Sequence, residues 1–144
     1  MAKSILITLI LILAAAFLVT PAAKQPESMA GVTFINEVEE AEIWILPQTE
    51  EILKTSLWGK ATFVLEAGEE AQFDLAGAGG PGTYIFRVID ANEGYYEAND
   101  LHLEDGMTLR FTDYGGHPFD AVLEIIDAGG EVIDTIEDTF IGVL

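Results

Sequence analysis

From Gly31 onward, apolar and polar residues alternate in short runs, and each run ends in a turn signal. Alternation with a period of two marks a strand that buries one face. No segment of this region holds the 3.6-residue period of an amphipathic helix. GVTFINE reads as a first strand and AEIWILPQ as a second, stopped by Pro47. TEEILKTSLWGK reads as a loop or short helical turn, with Thr49 placed to cap Glu51 and Ile52. ATFVLEAGEEAQFDLAG gives two short strands around the turn Glu66-Ala67-Gly68-Glu69. GTYIFRVIDANEGYYEAND is a hairpin, LHLEDGMTLRF turns at Glu104-Asp105-Gly106, and FDAVLEIIDAGGEVIDTIED is a last hairpin around Gly129-Gly130. Strands of about five to seven residues with evenly spaced turns predict an all-β fold. The expected form is an antiparallel β-sandwich of about eight or nine strands, immunoglobulin-like or C2-like. IFRVID and VLEIID resemble each other, but an apolar strand, a corner Asp and a turn glycine are what any hairpin uses.

The N-terminus breaks this pattern. Lys3 precedes a continuous apolar run from Ile5 to Val19, the layout of a secretory signal. The alternative is an uncleaved anchor, although the run falls short of the roughly 20 apolar residues that span a bilayer. Cleavage is expected after Ala22 or after Ala30, where small residues stand in the right places. Residues 1–30 are therefore assigned to the signal and a short linker, and 31–144 to a single sandwich domain. There is no cysteine, hence no lipobox and no disulfide. The domain must be held by its core, which about 115 residues can supply. This organisation points to the periplasm or the extracellular space of a bacterium, where exported domains do without disulfides more often than in eukaryotes.

Charge narrows the partners. The 144-residue chain has 25 Asp plus Glu against six Lys plus Arg, a formal net charge of −19. Nucleic acid and anionic lipid are poor partners for such a surface. Cations and basic protein patches remain, as does plain solubility.

VIDANEGYYEAND, Val88 to Asp100, carries the nearest approach to a chemical motif. Asp90, Asn92 and Gly94 begin like an EF-hand loop. The match then fails: Gly94 stands where an oxygen ligand belongs, Tyr95 where glycine belongs, and Leu101 where a bidentate Glu belongs. A looser Ca2+ site from Asp90, Asn92, Glu93, Asp100 and Asp105 needs loops that converge at one end of the sandwich. Otherwise Asp90 bonds to its own turn. GAGGPG, Gly77 to Gly82, matches G-x-G-x-x-G only literally, because a strand follows it and Pro81 removes a donor amide. It is expected to be a flexible loop. Ser56, His102 and His117 stand in no nucleophile or zinc context, and carboxylate pairs are common by chance among 25 acids. Trp44, Trp58, Tyr95, Tyr96 and Tyr114 are structural aromatics or, if exposed, a platform for a glycan or protein partner.

The order of certain residues is similar to a group of small exported bacterial all-β proteins of uncharacterised function. They are Asn36, Trp44, Pro47, Trp58, Gly59, Gly68, Glu69, Tyr84, Arg87, Val88, Asp90 and Gly94. The resemblance spans roughly residues 32 to 112 and implies an exported all-β domain with no established activity. Glu37 departs from the Asn or Thr usual after the first Asn, and the hairpin after Phe119 has no counterpart in the pattern. The expected function is a non-enzymatic binding or structural module of the bacterial envelope. It would meet a basic protein through a sheet edge or aromatic patch. The alternative is a Ca2+-dependent or carbohydrate-binding module, and after it a small hydrolase.

Overall fold

The computed structural model describes residues 31–55, 58–113 and 120–144. The expected signal and linker, residues 1–30, and Ser56, Tyr114 and His117 lie outside the described residues. Ten strands follow in chain order: β1 (Val32–Asn36), β2 (Ala41–Pro47), β3 (Phe63–Leu65), β4 (Glu69–Phe73), β5 (Gly82–Asp90), β6 (Gly94–Leu103), β7 (Thr108–Asp113), β8 (Ala121–Ile126), β9 (Val132–Ile136) and β10 (Phe140–Val143). They form two five-stranded sheets, β4-β1-β7-β8-β9 and β10-β6-β5-β2-β3. The described residues form an all-β sandwich, with ten strands where sequence alternation suggested eight or nine. The added strand is β10.

Alternation in sequence becomes alternation of burial. Val32, Phe34 and Asn36 of β1 are buried, whereas Thr33 and Ile35 are half-buried on the opposite face. Ala41, Ile43 and Ile45 of β2 enter the core, and Trp44 is covered on the outer side. Aromatic rings link the layers. Phe86 lies 5.7 Å from Phe34 and 5.6 Å from Phe111, and Tyr96 meets Phe111 edge-on at 5.1 Å. Such ring pairs add about 0.5–1.5 kcal/mol each beyond the area they bury.

Connections between sheets account for the differences from a simple string of hairpins. β3 pairs with β2 in one sheet, while β4 pairs with β1 in the other. The Glu66–Glu69 turn therefore crosses the sandwich, and Gly68 turns there with φ 86°, a left-handed conformation that favours glycine. β1 and β7 lie side by side and parallel, Phe34 opposite Leu109. One ladder of the sandwich is thus not antiparallel, and it is possible only because a long excursion through the second sheet separates the two strands.

Among the described residues, the β2–β3 and β4–β5 connections contain short helices. Helix α1 (Glu50–Lys54) is capped by Thr49, whose hydroxyl accepts the Ile52 amide at 3.1 Å. Helix α2 (Leu75–Ala78) occupies part of the glycine-rich stretch expected to be a plain loop. Asp74 caps it by accepting the Gly77 amide at 3.0 Å, and the buried Leu75 anchors it. A capping Asp and one core contact suffice to organise a single turn.

Near its end the chain changes sheets once more. Thr139 is fully buried; its hydroxyl donates to the Ala121 carbonyl on β8 at 2.7 Å. Its own carbonyl accepts the Glu97 amide of β6 at 2.8 Å. One residue thereby joins the two sheets before β10 pairs with β6.

Candidate functional site

The tip of the β5–β6 hairpin is built around Asp90, which is only 7% exposed. Its Oδ1 accepts the amides of Asn92 at 2.9 Å and Gly94 at 2.8 Å. Its Oδ2 accepts the Tyr96 hydroxyl at 3.2 Å. Gly94 is required by close approach: a Cβ there would lie 2.8 Å from Oδ2. Asp90 thus bonds to its own turn, and both of its oxygens are engaged within the protein.

The other proposed cation ligands disperse. Asn92 donates from Nδ2 to Glu39 at 2.6 Å, and Glu93 holds the turn with φ 62°. Asp100 lies six residues beyond Gly94 along β6, about 20 Å at strand rise. It forms a bulge with φ 58°, where the Gln48 side chain both donates to its carboxylate at 2.7 Å and accepts its amide at 2.8 Å. Asp105 is in the β6–β7 turn, at the end of β6 opposite the hairpin tip. The five residues do not converge, and among the described residues no group of three or more His, Asp or Glu side chains is arranged to hold a metal ion. Such a site needed their loops to converge; the length of β6 keeps them apart. His102 is exposed on the outward face, as expected between the buried Leu101 and Leu103, with Nε2 3.0 Å from Glu104.

The aromatic candidates also separate. Tyr96 is 1% exposed and belongs to the core, where burial, then the neighbouring Asp90, holds its hydroxyl well above the usual tyrosine range. Trp44 is buried too, with Nε1 donating to the Gly59 carbonyl at 3.2 Å. Neither is a surface platform. Trp58 and Tyr95 are half-buried on the outer side of the second sheet, and both face Arg87. The Arg87 guanidinium lies 3.4 Å from the centroid of Trp58 and 5.0 Å from that of Tyr95, and bonds Glu97 at 3.3 Å. Tyr95 donates its hydroxyl to the same Glu97 carboxylate. Burial first, and this bond second, push the Tyr95 hydroxyl up to about 12. The cluster is linked through Arg87, which meets the Trp58 and Tyr95 rings and the Glu97 carboxylate.

Beside it, the outer face carries groups that are not so committed. Register places Val64 of β3, Glu42 of β2 and Ile89 of β5 in one row, which ends on β6 at Tyr95 of the cluster. Val64 is 63% exposed. Part of this row, with Glu40 and Ala91, lines a shallow depression of about 230 Å³.

One structural residue escaped the site reading. Asn36 is fully buried at the end of β1. Its Nδ2 donates to the carbonyls of Glu39 at 2.6 Å, Leu65 at 3.1 Å and Glu66 at 3.4 Å. It ties three segments at the crossing between the sheets. The signal was a polar residue in phase with Val32 and Phe34.

No family model, curated protein or solved structure matches this chain.

Proposed function

We propose that the protein is an exported, non-enzymatic binding module of the bacterial envelope whose acidic surface selects a basic protein partner. What supports this is the charge that remains after internal pairing. Of six Lys plus Arg in the sequence, Arg87 is bound to Glu97. Arg110 lies 2.6 Å from Glu124 and 3.6 Å from Glu37. Lys54 and Lys60 are exposed in the β2–β3 connection. Against them stand 25 carboxylates, most of them on the surface. A surface field of one sign accelerates encounter with oppositely charged proteins and rejects acidic ones. A glycan platform draws less support, since Trp44 and Tyr96 are internal and Trp58 stacks on the protein's own Arg87.

The test is calorimetric titration of the protein with lysine-rich, neutral and glutamate-rich peptides of equal length. The expected result is saturable binding of the lysine-rich peptide alone, weakening with added NaCl. Equal response to all three, or none to any, refutes the reading. N-terminal sequencing of exported protein checks the address: it should begin at Ala23 or Gly31, and an intact Met1 refutes cleavage.

A further inference from the structure

We infer that the depression between β2, β3 and β5 is the subsite that receives a lysine or arginine side chain from an extended segment of the basic partner. This rests on the basic-partner reading above and gives it a place on the molecule. The walls are of two kinds. Val64, Ile89 and Ala91 are apolar, whereas Glu40 and Glu42 bring carboxylates that have no hydrogen bond or ion pair among the described residues. Lysine and arginine have the matching construction, an aliphatic stem with a cationic head. At about 230 Å³ and open to solvent, the depression is smaller than the roughly 300–1,000 Å³ of small-molecule pockets. It suits one long side chain better than a whole small ligand. Tyr95, next to Ile89 in register, borders the row on the β6 side, where Arg87 and Glu97 hold its ring and hydroxyl.

The face is a better docking surface than the edges. β3 has three residues and β10 four, with a bulge in the β10–β6 ladder. β9 bulges at Ile133 and follows it with Asp134, and β4, the fourth edge, carries Glu69 and Glu70. Short, bulged and charged edges resist the addition of another strand. A second copy of this chain is also disfavoured, since it would bring two acidic faces together at a net charge of −19 each.

The probe is a short peptide alternating lysine and valine, titrated calorimetrically into the wild type and two charge-matched variants. Glu40→Gln/Glu42→Gln removes the carboxylates of the depression. Glu50→Gln/Glu51→Gln removes the same charge from α1. All four side chains are exposed, and thermal melts verify that each variant is folded. The first variant is expected to lose about tenfold or more in affinity and the second about twofold or less. Val64→Ser should weaken binding without any change in charge. Equal losses in both Gln variants would overturn the subsite while leaving the basic partner standing. Failure of the wild type to bind any lysine-rich peptide would overturn both. A dimer found by sedimentation that dissociates on Val64→Ser would assign the face to a second copy and overturn the subsite.

Discussion

Replacing Asp90 with alanine separates a hairpin-forming role from a metal-binding one. The substitution removes three hydrogen bonds, two from backbone amides and one from a buried tyrosine. Hydrogen bonds to a charged group contribute about 1.5–3 kcal/mol each, but those at one turn are not additive, and part of the loss is recovered by water. The Gly94 amide and the Tyr96 hydroxyl are the groups left without an acceptor, at about 1–3 kcal/mol each when buried. We expect a loss of about 3 kcal/mol for Asp90→Ala. Asp90→Asn keeps one oxygen for the two amides and should lose about 1 kcal/mol. The assay is urea unfolding followed by tryptophan fluorescence, with EDTA and then with Ca2+ at matched ionic strength. A 3 kcal/mol loss lowers the midpoint by about 1.5 M at an m-value near 2 kcal/mol/M. The wild type should show no gain from Ca2+ beyond that from NaCl. A loss below about 0.5 kcal/mol for Asp90→Ala would refute the hairpin reasoning. A Ca2+-specific gain that disappears in Asp90→Asn would make Asp90 a ligand after all.

Three further outcomes follow from the same kind of contact. Asn36→Asp should destabilise more than Asn36→Ala, because a carboxylate would face three carbonyl oxygens at 2.6–3.4 Å; a milder Asp variant in urea unfolding would refute this. Thr139→Val should cost about 1–2 kcal/mol in the same assay and Thr139→Ser markedly less, since only valine leaves the buried Ala121 carbonyl without its hydroxyl donor. The tyrosine hydroxyls give an alkaline limit. Tyr95 is held at about 12 in the fold and Tyr84 and Tyr96 are also raised, against 10.0 for the ordinary side chain. The raised folded values favour the native state fully below pH 10, and that contribution falls as pH rises from 10 through the folded values. Stability should therefore fall between pH 10 and 12, and phenolate absorbance should rise together with unfolding; a rise near pH 10 in protein still folded would contradict the burial of these hydroxyls.

Local features were legible in the sequence and layer assignment was not. Alternation located β1, β2 and both hairpins, Thr49 announced the cap of α1, and Asp90 with Gly94 announced the turn between β5 and β6. Each depends on neighbours within a few residues. Which sheet a strand joins depends on partners far along the chain. So β3 and β4, consecutive in sequence, part company, and the parallel pairing of β1 with β7 has no local signature. The period of two could have divided Tyr95 from Tyr96, since Gly94, Tyr96 and Ala98 share the inward phase. Leaving both tyrosines open as structural aromatics or a platform made no use of it. The depression at Glu42 was out of reach, because its walls come from three strands whose register only the folded sheet defines.

Thr139 gives the folding of this sandwich a direction in time. A ribosome makes the chain from its N-terminus, and every strand that Thr139 fastens precedes it: β6 through the Glu97 amide and β8 through the Ala121 carbonyl. Until this clasp emerges, the two layers can collapse against each other on that side but have no hydrogen bond through Thr139 to hold them in register. Closure of that side therefore waits for Thr139, in whatever order the strands before it assemble.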